Sequence, residues 1–202
     1  MKLLQIDSSI LGDASASRQL TAAITDAFVA AHPGLTVASR DLAAEPLAHF
    51  DGSSLPGVRA EGADHEDDRI LQEFLDADVV VIGAPMYNFS IPSQLKSWLD
   101  RLLIAGKTFR YTADGPAGLV GGKTVLIASA RGGLYAPGMP GEANDFQEKY
   151  LRAVFAHIGI DDVAFIRAEG LALSPEHRET ALQESLASAR GVTAQPLAAL
   201  AA

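Results

Sequence analysis

The sequence predicts a doubly wound α/β fold: one five-stranded parallel sheet, strand order 2-1-3-4-5, with helices on both faces. Three observations predict it. Strand-like and helix-like segments alternate five times along the chain. Two of the strand-like runs are nearly continuous hydrophobics, as expected of central parallel strands covered on both sides. Right-handed crossovers restrict the topology, and five strands are too few for a two-half dinucleotide fold and suit this order.

The strand-like runs are 2–7 (KLLQID), 36–42 (TVASRDL), 79–84 (VVVIGA), 124–130 (TVLIASA) and 162–168 (DVAFIRA). The fifth alternates more than the third and fourth, which predicts a less buried edge. Between them, 17–31 carries Leu20, Ile24, Ala27, Phe28 and Ala31 near a 3.6 period, and His32-Pro33-Gly34 stops it. A second helix, 67–75, gathers Ile70, Leu71 and Phe74. The stripe Leu95, Trp98, Leu99, Leu102 and Leu103 predicts a third over 93–104, with Lys96 and Asp100 paired on its outer face. Segments 146–158 and 175–189 supply two more. Residues 46–65, rich in Gly, Pro, Ser and acid, read as a surface excursion or mobile loop. Residues 107–122 read as a short hairpin turning at Asp114-Gly115. The 202 residues form a single domain with an Ala-rich C-terminal tail expected to fray.

Composition narrows the function. A net charge of −9 repels phosphate backbones and anionic bilayers, which argues against nucleic acid and membrane partners. There is no cysteine, so disulfides, thiolate metal sites and cysteine nucleophiles are excluded. The five histidines are scattered without ligand spacing, which argues against a metal. Asp7 ends the first apolar run too early for a signal peptide, and no apolar run approaches the roughly 20 residues of a membrane span. A cytoplasmic protein is the expectation.

Ligands of open α/β sheets bind outside the carboxyl ends of the strands. Three loops converge there, named for the strand-like run each follows: loop one, loop three and loop four, in that order. The first, SSILGDASAS at 8–17, offers hydroxyls ahead of a helix N-terminus, where free N–H groups suit a phosphate. It holds no phosphate-loop or dinucleotide fingerprint, which favours a monophosphate over a nucleoside triphosphate. Ser15 or Ser17 serving simply as the helix cap fits equally. The second, APMYNFSIP at 84–92, is too apolar for an ordinary loop. An isoalloxazine ring, apolar at one end and polar at the other, would suit it; so would Met86 and Phe89 packing under the next helix. The third opens with Arg131-Gly132-Gly133, where glycines admit a ligand to the backbone or make an ordinary turn.

These residues carry a resemblance. MYNF after a VVIxAP-type strand, then a Q-L-K helix, resembles the flavodoxin-like FMN-dependent NADH azoreductase and NAD(P)H:quinone oxidoreductase family. So do Ser9 with S-x-S at 15–17, FRYT at 109–112 before GPAGLV, RGG at 131–133, and IGI at 158–160 followed by AEG at 168–170. The resemblance implies a flavodoxin-like fold, FMN as cofactor, NADH or NADPH as donor, and quinones or azo compounds as two-electron acceptors in ping-pong turnover. It implies that Ser9, Ser15, Ala16 and Ser17 hold the FMN phosphate. Pro85, Met86, Tyr87, Asn88 and Phe89 would line the ring, Tyr87 and Asn88 mainly through their backbone. Ala130, Arg131, Gly132 and Gly133 would meet its pyrimidine end; the family usually has Ser at Ala130. Tyr111 and His157 would line the substrate pocket, His157 replacing a phenylalanine of one relative. A homodimer with shared active sites is implied, and no catalytic side chain, because the flavin carries the chemistry. An FMN-binding electron carrier without NAD(P)H turnover and a non-catalytic signalling module are the competing readings. The latter lacks the acidic cluster and strand-end lysine that response regulators need.

Overall fold

The computed structural model describes residues 1–55 and 66–194. In chain order the elements are β1 (Lys2–Asp7), α1 (Ala16–Ala31), β2 (Thr36–Asp41), α2 (Glu66–Asp76), β3 (Val79–Pro85) and α3 (Ser93–Leu102). There follow β4 (Phe109–Thr112), β5 (Gly115–Gly118), β6 (Thr124–Ala130), α4 (Glu148–His157), β7 (Val163–Ala168) and α5 (Pro175–Arg190). The main sheet runs β2-β1-β3-β6-β7, every pair parallel, which is the expected order once the separate β4–β5 hairpin is set aside. No helix among the described residues is long and apolar enough to cross a membrane.

The period-2 geometry of the strands sorts the core into two layers. Leu4, Ile6, Val80, Ile82, Val125, Ile127, Val163 and Phe165 face α2, α3 and α4. Leu3, Val79, Val81, Leu126, Ala128, Ala164 and Ile166 face α1 and α5. All of β3 is buried, as its unbroken apolar run requires. One expectation about the edges is corrected. β7 is an edge strand but sends side chains into both layers, whereas β2 contributes to neither, and Thr36 to Ser39 are exposed. Alternation in β7 marks two covered faces, not one wet one. β2 is anchored at its end, where Arg40 pairs with Glu73 at 3.0 Å.

Local chemistry moves several boundaries. Asp145 Oδ1 accepts from the N–H groups of Gln147 and Glu148, both at 3.0 Å, so α4 starts after Phe146 rather than on it. Lys96 and Asp100 pair on α3 at 2.5 Å, as their spacing suggests. The near part of the 46–65 excursion is tied down: Arg101, almost wholly buried, donates to the Ala48 carbonyl at 3.0 Å and pairs with Asp67. Its remainder, 56–65, and the Ala-rich tail, 195–202, lie outside the described residues.

The hairpin turns one residue earlier than the sequence suggests. Thr112 pairs with Gly115, leaving Ala113 and Asp114 as the turn. Thr112 Oγ1 closes it, donating to the Gly115 carbonyl at 2.7 Å and accepting from Asp114 N–H at 3.3 Å. The hairpin is sewn to the end of α4 by Val120 N–H donating to the Ile158 carbonyl at 2.9 Å. Gly118 sits on that seam. A methyl there would lie 2.2 Å from Gly159 N and 2.3 Å from the Ile158 carbonyl carbon, both backbone atoms, while at Gly121 it would meet nothing. Gly118→Ala is therefore expected to cost about 2 kcal/mol through overpacking, a fall of roughly 4–8 °C in Tm, and Gly121→Ala to cost almost nothing. Equal melting of the two variants by calorimetry would show that the seam is not tight.

Candidate functional site

The loops leaving β1, β3, β6 and β7 meet at the carboxyl edge of the sheet. They enclose a cavity of about 190 Å³ that includes Ser9, Ser15, Ala16, Pro85, Met86, Tyr87, Ala130, Arg131 and Gly132 in its lining. Nine of the sequence-derived site residues are thus brought together. Ser17 lies just behind, its Oγ 3.1 Å from that of Ser15. Asn88, Phe89 and Gly133 belong to the same loops but not to the wall. Tyr111 and His157 stand apart from the cavity and meet each other's neighbour: both pack on Phe109, with ring centroids 5.5 Å and 4.4 Å away. Tyr111 is 76% exposed.

Loop one is built around α1. Ser15 is the N-cap, accepting from Arg18 N–H at 3.3 Å, so the capping role holds for it alone. Among the described residues the N–H groups of Ala16 and Ser17 have no protein acceptor, as expected for a first helical turn. Arg18 reaches back to donate to the Ser9 carbonyl at 2.9 Å and forks onto Asp41 with two contacts of 2.7 Å. Chiefly through that hydrogen bonding, the Asp41 carboxyl is held down at about 2, against its ordinary 3.8.

Loop three is a two-residue reversal. Tyr87 and Ser90 exchange backbone hydrogen bonds of 2.9 and 3.1 Å, and the residues between them both take positive φ: Asn88 at +49° and Phe89 at +72°. Asparagine tolerates this region; phenylalanine does so at a cost. The side chain of Tyr87 has a part that sequence reading assigned to its backbone: its hydroxyl accepts from Ile10 N–H at 3.2 Å and lies 3.3 Å from Ser9 Oγ, joining loops one and three. Phe89, half-exposed, meets Tyr135 edge-on at 6.4 Å, and its carbonyl accepts from Phe146 N–H at 3.2 Å.

Loop four is fixed from beneath. The side chain of Arg131 is fully buried and pairs with Asp145 at 3.2 Å, Glu169 at 3.0 Å and, closest of all, Glu148. Its Nε donates to Gln147 Oε1 at 2.8 Å, and Gln147 Nε2 donates to the Ala84 carbonyl at 2.7 Å. The guanidinium is thus committed to the protein. The carbonyls of Arg131, Gly132 and Gly133 accept from Leu171, Ala172 and Gly170, and that of Ala130 accepts from Met86 N–H at 2.8 Å. The N–H groups of Gly132 and Gly133, like those of Asn88 and Phe89, have no protein acceptor among the described residues. Missing serine at Ala130 leaves this backbone arrangement in place.

Four lining residues escape the sequence reading: Leu11, Leu171, Ala172 and Arg178. Three come from the segment between β7 and the first turn of α5. Its composition is ordinary, yet it leaves a strand end at the ligand edge, which was the available signal. The site fits FMN. Leu11, Ala16, Pro85, Met86, Leu171 and Ala172 supply apolar wall. Buried Ser9, Ser15 and Ser17 and the open α1 amides suit a phosphate, and unpaired N–H groups on loops three and four suit the polar ring edge.

Two expectations follow. Phe89→Gly removes the left-handed penalty of roughly 1–2 kcal/mol, partly offset by glycine's chain entropy, so its Tm should equal or exceed the parent's, while Phe89→Ala should melt lower than Phe89→Gly. Identical melting of the two would mean that the left-handed turn is not held in solution. The pH dependence concerns Asp41, whose folded value of about 2 lies below the ordinary 3.8. The folded state then binds fewer protons, so the stabilisation is full above about pH 4 and is lost as pH falls toward 2. Screening of this surface pair keeps it under about 1 kcal/mol. Urea titrations of the parent and Arg18→Met from pH 5 to pH 2 should show a stability difference that shrinks on acidification; a difference that stays constant would rule the coupling out.

Comparison with known proteins agrees with this architecture. A family model described as a flavodoxin-like fold matches residues 1–192. The "FMN-dependent NADH:quinone oxidoreductase" of Ralstonia nicotianae is 53% identical over 98% of this chain and 100% of its own length. A protein of the same name from Stenotrophomonas maltophilia is 54% identical over 93% of this chain and 94% of its own. Among solved structures, an azoreductase from Bacillus anthracis superposes with a TM-score of 0.85 at 31% identity, covering 95% of this chain and 98% of that one. A second from that species, an FMN-dependent NADH-azoreductase in complex with FMN, gives 0.80 at 28% identity, with the same coverage. On this likeness, carried along nearly its whole length, the chain belongs to the flavodoxin-like family of FMN-dependent NADH:quinone oxidoreductases and azoreductases.

Proposed function

We propose that this chain takes hydride from NADH or NADPH and delivers two electrons to a quinone or an azo compound in ping-pong order, the oxidised donor leaving before the acceptor enters. As a family member it is an FMN-dependent oxidoreductase. The observation that carries the finer reading is the cavity itself, apolar-walled yet edged by backbone N–H groups with no protein acceptor. Bound FMN supplies the redox chemistry. The protein's part is binding, orientation and electrostatics.

Ser9, Ser15 and Ser17 with the Ala16 and Ser17 amides hold the phosphate, using the positive end of α1. Pro85 and Met86 give an apolar bed, and the Tyr87 hydroxyl locks loop one to loop three beside it. The Asn88 and Phe89 amides bind the ring's central edge. The Gly132 and Gly133 amides meet its pyrimidine end, where fixed dipoles favour negative charge. No side chain acts as an obligatory acid or base. Tyr111 and His157, gathered on Phe109, contact the acceptor, and a second copy of the chain completes the pocket over exposed Phe89, Phe146 and Tyr111. The cytoplasm, where NADH is supplied, is its place of action.

The protein should bind FMN and oxidise NADH only when a quinone or azo acceptor is present. Initial rates at several acceptor concentrations should give parallel double-reciprocal lines; intersecting lines would exclude ping-pong exchange. Tyr111→Ala and His157→Phe should alter the apparent KM of the acceptor while leaving FMN affinity unchanged. Unaltered KM in both would place the acceptor elsewhere.

A further inference from the structure

We propose that Arg178 is the cationic partner of the cofactor phosphate and the residue by which this pocket distinguishes a phosphorylated flavin from an unphosphorylated one. The inference rests on the cavity being the FMN site and adds to that reading a side chain on α5, outside the loops that enclose it.

A phosphate monoester carries nearly two negative charges at neutral pH, and the chain as a whole carries −9, so the wider field of the protein opposes its binding. Three arginines lie near the phosphate end of the cavity or in its wall. Arg131 is fully buried and surrounded by Asp145, Glu148 and Glu169. Arg18 is forked onto Asp41. Neither has charge to spare. Arg178 lines the same cavity, is half-buried, and has no carboxylate partner among the described residues.

Its placement is specific. Arg178 stands near the start of α5, where its own N–H donates to the Ser174 carbonyl at 3.0 Å. Its Nη2 donates to the Ala14 carbonyl at 3.3 Å, on the residue just before the α1 cap. That single backbone contact sets the guanidinium beside Ser15 and the open amides of Ala16 and Ser17 and leaves most of its five donors unused. An arginine fork is well matched to phosphate oxygens, and charge-assisted contacts of this kind are the strong ones. A helix terminus alone supplies partial charge; Arg178 supplies a whole one.

The test compares FMN with riboflavin, which lacks only the phosphate. Dissociation constants for both are measured by flavin fluorescence quenching on the apo forms of the parent, Arg178→Ala and Arg178→Lys. Loss of one charge-assisted contact should weaken FMN binding by roughly 10- to 100-fold in Arg178→Ala, leave riboflavin binding unchanged, and be partly restored in Arg178→Lys. FMN bound equally well by the parent and Arg178→Ala would overturn the inference while leaving the cofactor assignment intact. An equal loss for both flavins would also overturn it, since it would show that Arg178 acts only by holding loop one through Ala14. A parent protein that binds neither flavin would overturn the cofactor site and this inference together.

Discussion

The site depends on one buried cation. Arg131 directly follows β6, yet its side chain turns inward and finds carboxylates from the start of α4 and the end of β7. Burying a guanidinium is costly, and removing a partner from such a cluster typically costs about 3–5 kcal/mol. Here the cluster does geometric duty. Glu169, while holding Arg131, also accepts from Tyr135 N–H at 2.9 Å, and Gln147 ties the cluster to the last residues of β3. Four segments that are remote in sequence are thereby brought to one register.

That register decides which backbone groups remain for a ligand. With Arg131 drawn inward, the carbonyls of 130–133 are taken up by Met86 and the 170–172 segment, and the amides of Gly132 and Gly133 are left over. The same asymmetry recurs at α1, where the first-turn amides lack acceptors, and at the Asn88–Phe89 reversal. Unused donors recur on the three loops leaving β1, β3 and β6, while the 170–172 amides and the 130–133 carbonyls are spent in holding two of the walls together. A ligand rich in acceptors, with a phosphate at one end and a heteroaromatic ring at the other, is the complement of such a surface.

Much of this was legible because it is local or periodic. The parallel, doubly wound sheet follows from alternation of elements and crossover handedness, and its order is the one that five such strands suit. The loop 84–92 stood out because apolar residues between two prolines have no reason to follow a buried strand unless something flat covers them. What could not be read is long-range. Nothing near Tyr87 announces that its hydroxyl meets Ile10, and nothing in Arg131-Gly132-Gly133 tells that the arginine is spent on carboxylates many residues away. Arg178 sits in an unremarkable helical turn and becomes a site residue only when α5 is laid beside α1. The covered character of β7 was missed because periodicity reports side-chain alternation, not which flanking helices will be present.

The contact between Arg178 and Ala14 spans 164 residues of sequence, and this has a consequence for how the protein is made. During synthesis, loop one, the β3 exit and the glycine loop leave the ribosome well before α5, so the cavity lacks one wall until α5 has emerged and docked. A polypeptide truncated before α5 keeps all of the main-sheet strands yet leaves the wall that Arg178 supplies unbuilt, so an intact sheet is not by itself an intact cavity.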